Sequence, residues 1–234
     1  MKVQIKALIA LGLFLTTSAV AEDWKGKGEL GYVQVGGNTE SEVLNAALEF
    51  NKKLENWTHI AKLAAVTASS NNVDSAESYS AGWRSEYKIS ERGYTFGDFR
   101  YFDDKFDSFE EIYTAALGYG YRVIMQEHKS WNLSAGLGYR ETTDEITQED
   151  ISGVTYLLES DYKHQLVEST AFENYTRVEI SADNTFSQNI TSLSVAINAA
   201  LALKVTLEVR NNSDPAPGFK STDRITSINI VYSF

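Results

Sequence analysis

The chain has no cysteine, only two prolines, and no apolar run long enough to form a membrane-spanning helix. Without cysteine, a disulfide framework, a thiol nucleophile and a thiolate metal site are all excluded. Few prolines leave few interruptions to long β-strands. Basic residues are also scarce: 21 Lys and Arg stand against 32 Asp and Glu, which argues against a nucleic-acid partner. No phosphate-binding loop or His-x-x-x-His pair is present, so we expect no cofactor.

Residues 1–21 have the composition of an export signal. Lys2 and Lys6 are followed by a short apolar run, and Ala19 and Ala21 provide the small residues of a cleavage site. The apolar run is too short for a bilayer, which takes about 20 residues. We therefore predict cleavage after Ala21 and a mature, exported domain over residues 22–234.

Apolar and polar residues alternate with a period of two in many segments of the mature chain. Ala115, Leu117 and Tyr119 alternate with Gly118 and Gly120, for example. Successive side chains of a strand point to opposite faces, so each such segment has one apolar and one polar or glycine face. The segments suit a tilted membrane span, and their polar faces carry too many charges for a soluble sandwich core. Aromatic residues mark the ends of the apolar faces, as interfacial girdles require: Trp24, Trp57, Tyr79, Tyr87, Tyr121, Trp131, Tyr139 and Tyr232.

These features predict an all-β fold, a single antiparallel transmembrane β-barrel. Its even number of strands is typical of bacterial single-chain barrels. Two of the predicted strands could also be read as an amphipathic helix, but the alternation of Leu44, Ala46, Leu48 and Phe50 favours strands. Twelve strands are predicted, at 24–36, 42–53, 57–68, 78–89, 94–102, 111–124, 131–141, 152–164, 170–182, 190–200, 202–212 and 225–234.

Connection lengths predict the orientation of the barrel. If both termini are periplasmic, the even-numbered connections should be short turns and the odd-numbered ones longer extracellular loops. The sequence fits this pattern, with the longest loop, Asn211 to Arg224, holding both prolines. We therefore expect a location in the Gram-negative outer membrane, with outer-membrane lipid and lipopolysaccharide as partners.

The beginning of the mature chain resembles a known family. Residues 24–32, Trp-Lys-Gly-Lys-Gly-Glu-Leu-Gly-Tyr, precede a Gly-Gly-Asn-Thr-Glu loop at 36–40, and the chain ends in Tyr-Ser-Phe. This pattern is similar to the salt-induced outer-membrane protein family, small Gram-negative barrels of poorly defined function. The resemblance implies an integral outer-membrane barrel and provides no catalytic residues.

The last strand resembles the signal that the outer-membrane barrel assembly machinery recognises. Apolar residues at alternate positions lead to a terminal phenylalanine, namely Ile228, Ile230, Tyr232 and Phe234. We expect the machinery to add this strand to its own sheet edge. The alternative is that the final strand simply ends with apolar residues.

Strand parity places a nearly balanced set of charges in the lumen. The basic residues are Lys27, Lys62, Arg84, Lys88, Arg100, Arg122, Arg140, Lys163, Arg177, Lys204 and Arg210. The acidic residues are Glu29, Glu49, Glu86, Asp98, Glu159, Asp161, Glu173, Glu179 and Glu208. Paired charges would fill a narrow or plugged lumen, whereas segregated charges would select ions in an open channel. We favour the narrow or plugged lumen.

Two loops are strongly acidic and could hold a divalent cation such as Ca²⁺, but no EF-hand spacing is present and we favour a solvated acidic rim. Their acidic residues are Asp103, Asp104, Asp107, Glu110, Asp144, Glu145, Glu149 and Asp150. A surface receptor or adhesin using these loops is therefore an alternative function.

An outer-membrane hydrolase is the enzymatic alternative. It would need a base beside a nucleophile or water, and histidine is the usual base. His59, His128 and His164 all fall at the predicted periplasmic end, and none has a serine and an acid at a recognisable spacing. We therefore predict a non-enzymatic pore or envelope-stress component.

Overall fold

The computed structural model describes residues 24–35, 41–70, 73–105, 109–144 and 150–234. The predicted signal peptide lies outside this range, as does the Gly-Gly-Asn-Thr-Glu loop at 36–40. The strands are β1 (Trp24–Val35), β2 (Ser41–Lys53), β3 (Trp57–Ser70), β4 (Val73–Lys88), β5 (Gly93–Asp104), β6 (Phe109–Gln126), β7 (Lys129–Asp144), β8 (Asp150–Val167), β9 (Thr170–Ile180), β10 (Thr185–Ala196), β11 (Leu201–Asn212) and β12 (Thr222–Ser233).

The twelve strands form one closed barrel in which each strand pairs with its sequence neighbours. Every pairing is antiparallel, including that of β1 with β12, which closes the ring. The prediction of a twelve-stranded antiparallel barrel is therefore confirmed. In the described part of the chain, no helix is long and apolar enough to cross a membrane.

The barrel has two distinguishable ends. The connections at 54–56, 89–92, 127–128, 168–169 and 197–200 follow the even-numbered strands and lie at the same end as Trp24 and Phe234. We call this the turn end, and the opposite one the loop end.

The outer surface carries the apolar face that the alternation predicts. Leu117 and Leu137 are paired across β6 and β7, and 73% and 55% of their surfaces are exposed. Rings lie at both ends of this apolar band. Trp57 contacts Tyr87 at the turn end, with ring centroids 5.0 Å apart, and Tyr101 contacts Tyr113 at the loop end, at 4.9 Å. Aromatic belts at two levels are typical of membrane barrels.

A small polar patch interrupts the outer face of β9 and β10. The Asn174 side-chain amide donates to Thr191 at 2.8 Å, and that of Asn189 donates to Thr176 at 2.7 Å. Because these side chains satisfy one another, the patch costs less in a lipid environment than isolated polar groups would. It lies near the turn end, since Asn174 pairs with Tyr162 of β8 and Tyr162 pairs with Trp131 of β7.

Several strands extend further towards the loop end than the sequence predicts. β4 begins at Val73 rather than 78, and β10 runs from Thr185 to Ala196 rather than from 190 to 200. Beyond the membrane both faces of a strand meet water, so apolar alternation ends while the backbone ladder continues. At the other end of β10, the Asn198 side chain accepts hydrogen bonds from the N–H groups of Ala200 and Leu201 and forms the turn that was predicted as strand.

The interior is not uniformly wet. On β5, whose inward parity is ambiguous in the sequence, Tyr94, Phe96 and Phe102 point into the barrel and are almost fully buried. Tyr94 and Phe96 form one cluster with Leu157 of β8. Rings on this side of the lumen therefore narrow it, which the alternation rule alone does not predict.

Candidate functional site

Four charged side chains from four strands meet inside the barrel and form what we call the cross-lumen network. Arg84 of β4 donates to Glu159 of β8 at 2.6 Å, and Arg177 of β9 donates to Asp98 of β5 at 2.9 Å. Arg177 also donates to Glu159 at 3.1 Å. Three strands separate β4 from β8 in the ring, so these contacts cross the lumen and do not run along the wall.

Glu179 of β9 is the most deeply buried acid of this region, with 1% of its surface exposed. It accepts a hydrogen bond from Arg177 at 2.6 Å and one from the Thr114 hydroxyl at 3.1 Å. The guanidinium groups of Arg100 and Arg140 lie 3.7 and 4.0 Å from its carboxylate. Such a carboxylate is tolerated because opposite charges and hydrogen bonds surround it.

A second group of ion pairs joins the network towards the loop end. Arg210 of β11 contacts Asp104 of β5 at 2.8 Å and Glu208 at 2.5 Å. The Gln188 amide donates to Glu208 at 2.6 Å and accepts from Arg100 at 3.1 Å. Asp104 was expected in the acidic loop, but the structure places its carboxylate inside the barrel.

Two guanidinium groups of the lumen lie against the faces of aromatic rings. The Arg84 guanidinium carbon lies 3.8 Å from the centre of the Phe96 ring, and that of Arg210 lies 4.6 Å from the Phe102 ring. Cation–π attraction in a site with little water is worth about 2 kcal/mol. The rings therefore hold the network in place as well as filling space.

Two lysines of the lumen form ion pairs closer to the turn end. Lys204 contacts Glu29 at 2.7 Å, and Lys62 contacts Glu49 at 3.6 Å. The Lys62 side chain is 59% exposed, unlike the buried arginines. Lys204, by contrast, is only 15% exposed, so of these two lysines only Lys62 lies in a well-hydrated part of the lumen.

The space left in the lumen is a cavity of about 390 Å³. One wall consists of the network residues, and the facing wall has small side chains of β2 and β3 such as Asn45, Ala47 and Ala64. The lumen is therefore filled on one side and open on the other.

Most of the residues predicted to line the lumen lie in or beside this region. Arg122 lies 3.9 Å from Glu86, which accepts from Arg84 at 3.0 Å. Asp161 lines the cavity and lies 3.9 Å from Lys163. Lys88 is the exception: it is the last residue of β4 and is exposed at the turn end, away from the network.

The four residues of the predicted assembly signal lie on the outer face of β12. Ile228, Ile230, Tyr232 and Phe234 are each about half exposed. The backbone of Phe234 exchanges two hydrogen bonds with Gly26 of β1, at 2.8 and 3.0 Å. A Cβ on Gly26 would overlap the Phe234 ring, so the ring lies against β1.

The loops predicted to hold a cation are only partly described. Asp107, Glu145 and Glu149 lie outside the described residues, as do the side chains of Glu110 and Asp144. Lys105 donates to Glu77 at 2.5 Å, and this hydrogen bond raises the pKa of the Lys105 ammonium. Within the described residues, no group of three or more acidic or histidine side chains is placed to hold a metal ion.

None of the three histidines lies in the cavity. His128 is exposed in the turn before β7. Nδ1 of His164 is 3.4 Å from the Tyr162 hydroxyl, and that of His59 is 2.9 Å from the Ser85 hydroxyl. The His59–Ser85 contact could not be predicted from the spacing of residues, because the two are 26 positions apart in the sequence. Ser85 also accepts from the Trp83 indole at 2.9 Å, and no acid of the described chain hydrogen-bonds the His59 ring, so the pair forms part of the aromatic girdle.

The sequence profile of a family described as "Protein of unknown function, DUF481" matches residues 28–234. The chain belongs to this family. A relative from Escherichia coli (strain K12), "Uncharacterized protein YdiY", is 28% identical over 248 residues, covering 97% of this chain and 95% of the relative. A salt-induced role is not part of either description.

Two solved structures with a similar fold are an outer-membrane channel and a porin. The COG4313 outer membrane channel from Pseudomonas putida F1 aligns with a TM-score of 0.56 at 8% identity, covering 91% of this chain and 95% of that one. The NanC porin aligns with a TM-score of 0.51 at 8% identity, covering 90% and 98%. At this identity the likeness concerns the fold, which is that of an outer-membrane porin-like barrel.

Proposed function

We propose that this DUF481 protein is a non-enzymatic barrel of the Gram-negative outer membrane that forms a narrow channel for small solutes. The observation that carries the proposal is the pair of contacts Arg84–Glu159 and Arg177–Asp98, which cross the lumen. They close the lumen to large solutes and leave the cavity beside β2 and β3 as the remaining path.

The fold and the charges support this proposal. Similar solved structures are porins and channels. Charges of both signs line the cavity in ion pairs, so we expect weak selectivity between anions and cations. The termini are proposed to be periplasmic, because the short turns lie at their end of the barrel. Lipopolysaccharide would then surround the loop end.

A role in the response of the envelope to osmotic or salt stress is part of the proposal. It rests on the sequence resemblance to the salt-induced family and on a lumen that admits little. The narrow passage suits a protein that is abundant under stress without making the membrane leaky. Deleting the gene and comparing growth in low and high salt would test this part separately.

Swelling of liposomes that contain the refolded protein tests the channel itself. We expect swelling with the smallest neutral sugars and amino acids and a steep decline as solute size increases. Liposomes without protein and liposomes with a general diffusion porin give the two reference rates. Swelling with large oligosaccharides at the porin rate, or no swelling with any solute, would contradict the proposal.

A further inference from the structure

Among the described residues, the pairing between β1 and β12 is the shortest between any two strands. Pairing covers only residues 27–31 of β1 and 229–233 of β12, with one further backbone pair between Gly26 and Phe234. By contrast, β1 pairs with β2 along its whole length. β12 likewise pairs with β11 as far as Thr222.

If the register continued beyond Gly31, residues 32–35 of β1 would pair with residues 225–228 of β12, but no pairing joins these described residues. We call this stretch the open seam. It lies at the loop end. Unpaired strand edges are costly in hydrocarbon, because their N–H and C=O groups lack partners.

The pairing ends at a defined point. Gly31 lies between the side chains of Asn45 and Asn229, and a Cβ at residue 31 would overlap both amide oxygens. On the lumen side, Glu29 accepts from Lys204 at 2.7 Å and from Asn229 at 3.3 Å. These contacts hold the paired part of β1 and β12 together.

The outer surface changes character at the same level. Leu30, Tyr32 and Ile228 are exposed apolar residues that flank the last paired rungs. The next outward residues of β12 are Thr226 and Arg224, which are exposed and polar. The open seam therefore begins where the apolar band ends, at the level of the lipid head groups.

The lumen cavity reaches the inner side of the open seam. Ser227, Asn229 and Glu29 line the cavity. An unpaired seam between a charged cavity and an apolar outer face suits a molecule with a polar head and an apolar tail. A wholly polar solute would leave along the barrel axis, and a wholly apolar one would not enter a charged lumen.

We propose that the open seam binds a single-chain amphiphile with an anionic head group. The head lies at the open seam, between Arg224 on the outer face and Ser227 on the lumen face. The tail lies in the bilayer along Tyr32 and Ile228. Arg224 forms no ion pair with a described side chain, so its charge is available to a carboxylate or phosphate head. This inference does not depend on whether the cavity conducts.

The natural absence of cysteine allows the geometry of the seam to be tested by cross-linking. The pair Val33→Cys with Ser227→Cys would face each other if the pairing continued. The control pair is Lys27→Cys with Ser233→Cys. These two residues are paired, and they lie on the same inward face, four positions from the last pair, Gly31 and Asn229. Disulfides require Cα atoms within about 7 Å.

We expect the control pair to oxidise readily and the Val33/Ser227 pair to resist oxidation but react with a longer bis-maleimide. Equal oxidation of the two pairs would show a closed seam and overturn the proposal.

Native mass spectrometry in a neutral detergent tests the ligand. Dodecanoate and dodecyl phosphate distinguish the two head groups, and dodecyltrimethylammonium is the cationic reference. We expect at least one of the two anions to bind roughly tenfold more tightly than the cation. The Arg224→Gln substitution should remove this preference. Lys220→Gln, which removes an exposed positive charge from the adjoining loop, should leave it unchanged.

Equal binding of anion and cation, or an unchanged preference in Arg224→Gln, would overturn the proposal. Liposome swelling on the same preparations keeps this outcome separate from a failure of the proposed channel. A protein that conducts but binds no amphiphile contradicts only the inference about the seam.

Discussion

The Tyr94 ring of β5 occupies the space that a side chain at Gly120 of β6 would need. The two residues are partners in the strand register, and Phe96 lies against Gly118 on the next inward rung. The glycines of β6 thus let two rings lie against the barrel wall. This is why rings and guanidinium groups fit together on one side of the lumen.

Substituting Gly120 should therefore destabilise the barrel. We expect Gly120→Ala to cost about 1–3 kcal/mol, because the methyl group forces the Tyr94 ring from its place. Urea unfolding of the refolded protein in detergent, followed by its heat-dependent gel mobility, measures the loss.

Gly153→Ala is the matched control, since a Cβ there meets no atom within 4 Å. If both variants lost equal stability, the packing of Tyr94 on Gly120 would not be the cause.

Removing Arg177 should be among the most damaging changes in the lumen. Arg177→Met leaves the buried Glu179 and Asp98 without their nearest positive partner, at a cost of about 3–5 kcal/mol. Adding Glu179→Gln should restore part of this loss, because one uncompensated charge is then gone.

Lys163→Met offers the comparison. Its ammonium lies 3.9 Å from both Asp161 and Glu173, and the Lys163 side chain is 46% exposed. We expect it to change the unfolding free energy by no more than about 1 kcal/mol. Equal losses for Arg177→Met and Lys163→Met would show that burial of the network does not matter.

The number of strands and the outward face could be predicted from the sequence, because lipid demands an apolar residue at every second position. The level at which strands end could not, since beyond the membrane a strand no longer needs alternation, as at Val73. Partners across the lumen, such as Arg84 and Glu159, depend on the tilt of the strands and on how the barrel closes, and neither can be read from the sequence.

The inward aromatic rings of β5 could not be predicted for a different reason, because an apolar residue at an inward position conflicts with the alternation rule. The inward glycines Gly118 and Gly120 were the available signal.

The outward face can be tested by a charge at its centre. Leu117 is 73% exposed on the outside of β6, and Leu117→Arg should hinder insertion by roughly 2–4 kcal/mol if it lies near the bilayer midplane. Folding yield into liposomes measures this, with Leu117→Ala as the control. Normal insertion of the arginine variant would contradict the assignment of the outer face.

The assembly signal can be separated from packing at the same place. Phe234 contacts Phe50, with ring centroids 6.0 Å apart. Both Phe234→Ala and Phe50→Ala lose this contact, but only the first changes the terminal residue. We expect Phe234→Ala alone to slow insertion by the reconstituted assembly machinery, while both variants refold similarly in detergent. Equal rates with the machinery would favour an ordinary apolar strand end.

Single-channel conductance of the refolded protein, compared with that of an Arg84→Ala/Glu159→Ala variant, tests the central claim most directly. If these two side chains obstruct the lumen, the variant should conduct several times better than the natural protein, while an outward Leu117→Ala/Leu137→Ala variant should not. Equal conductance of the natural protein and the Arg84/Glu159 variant would contradict a lumen closed by this network.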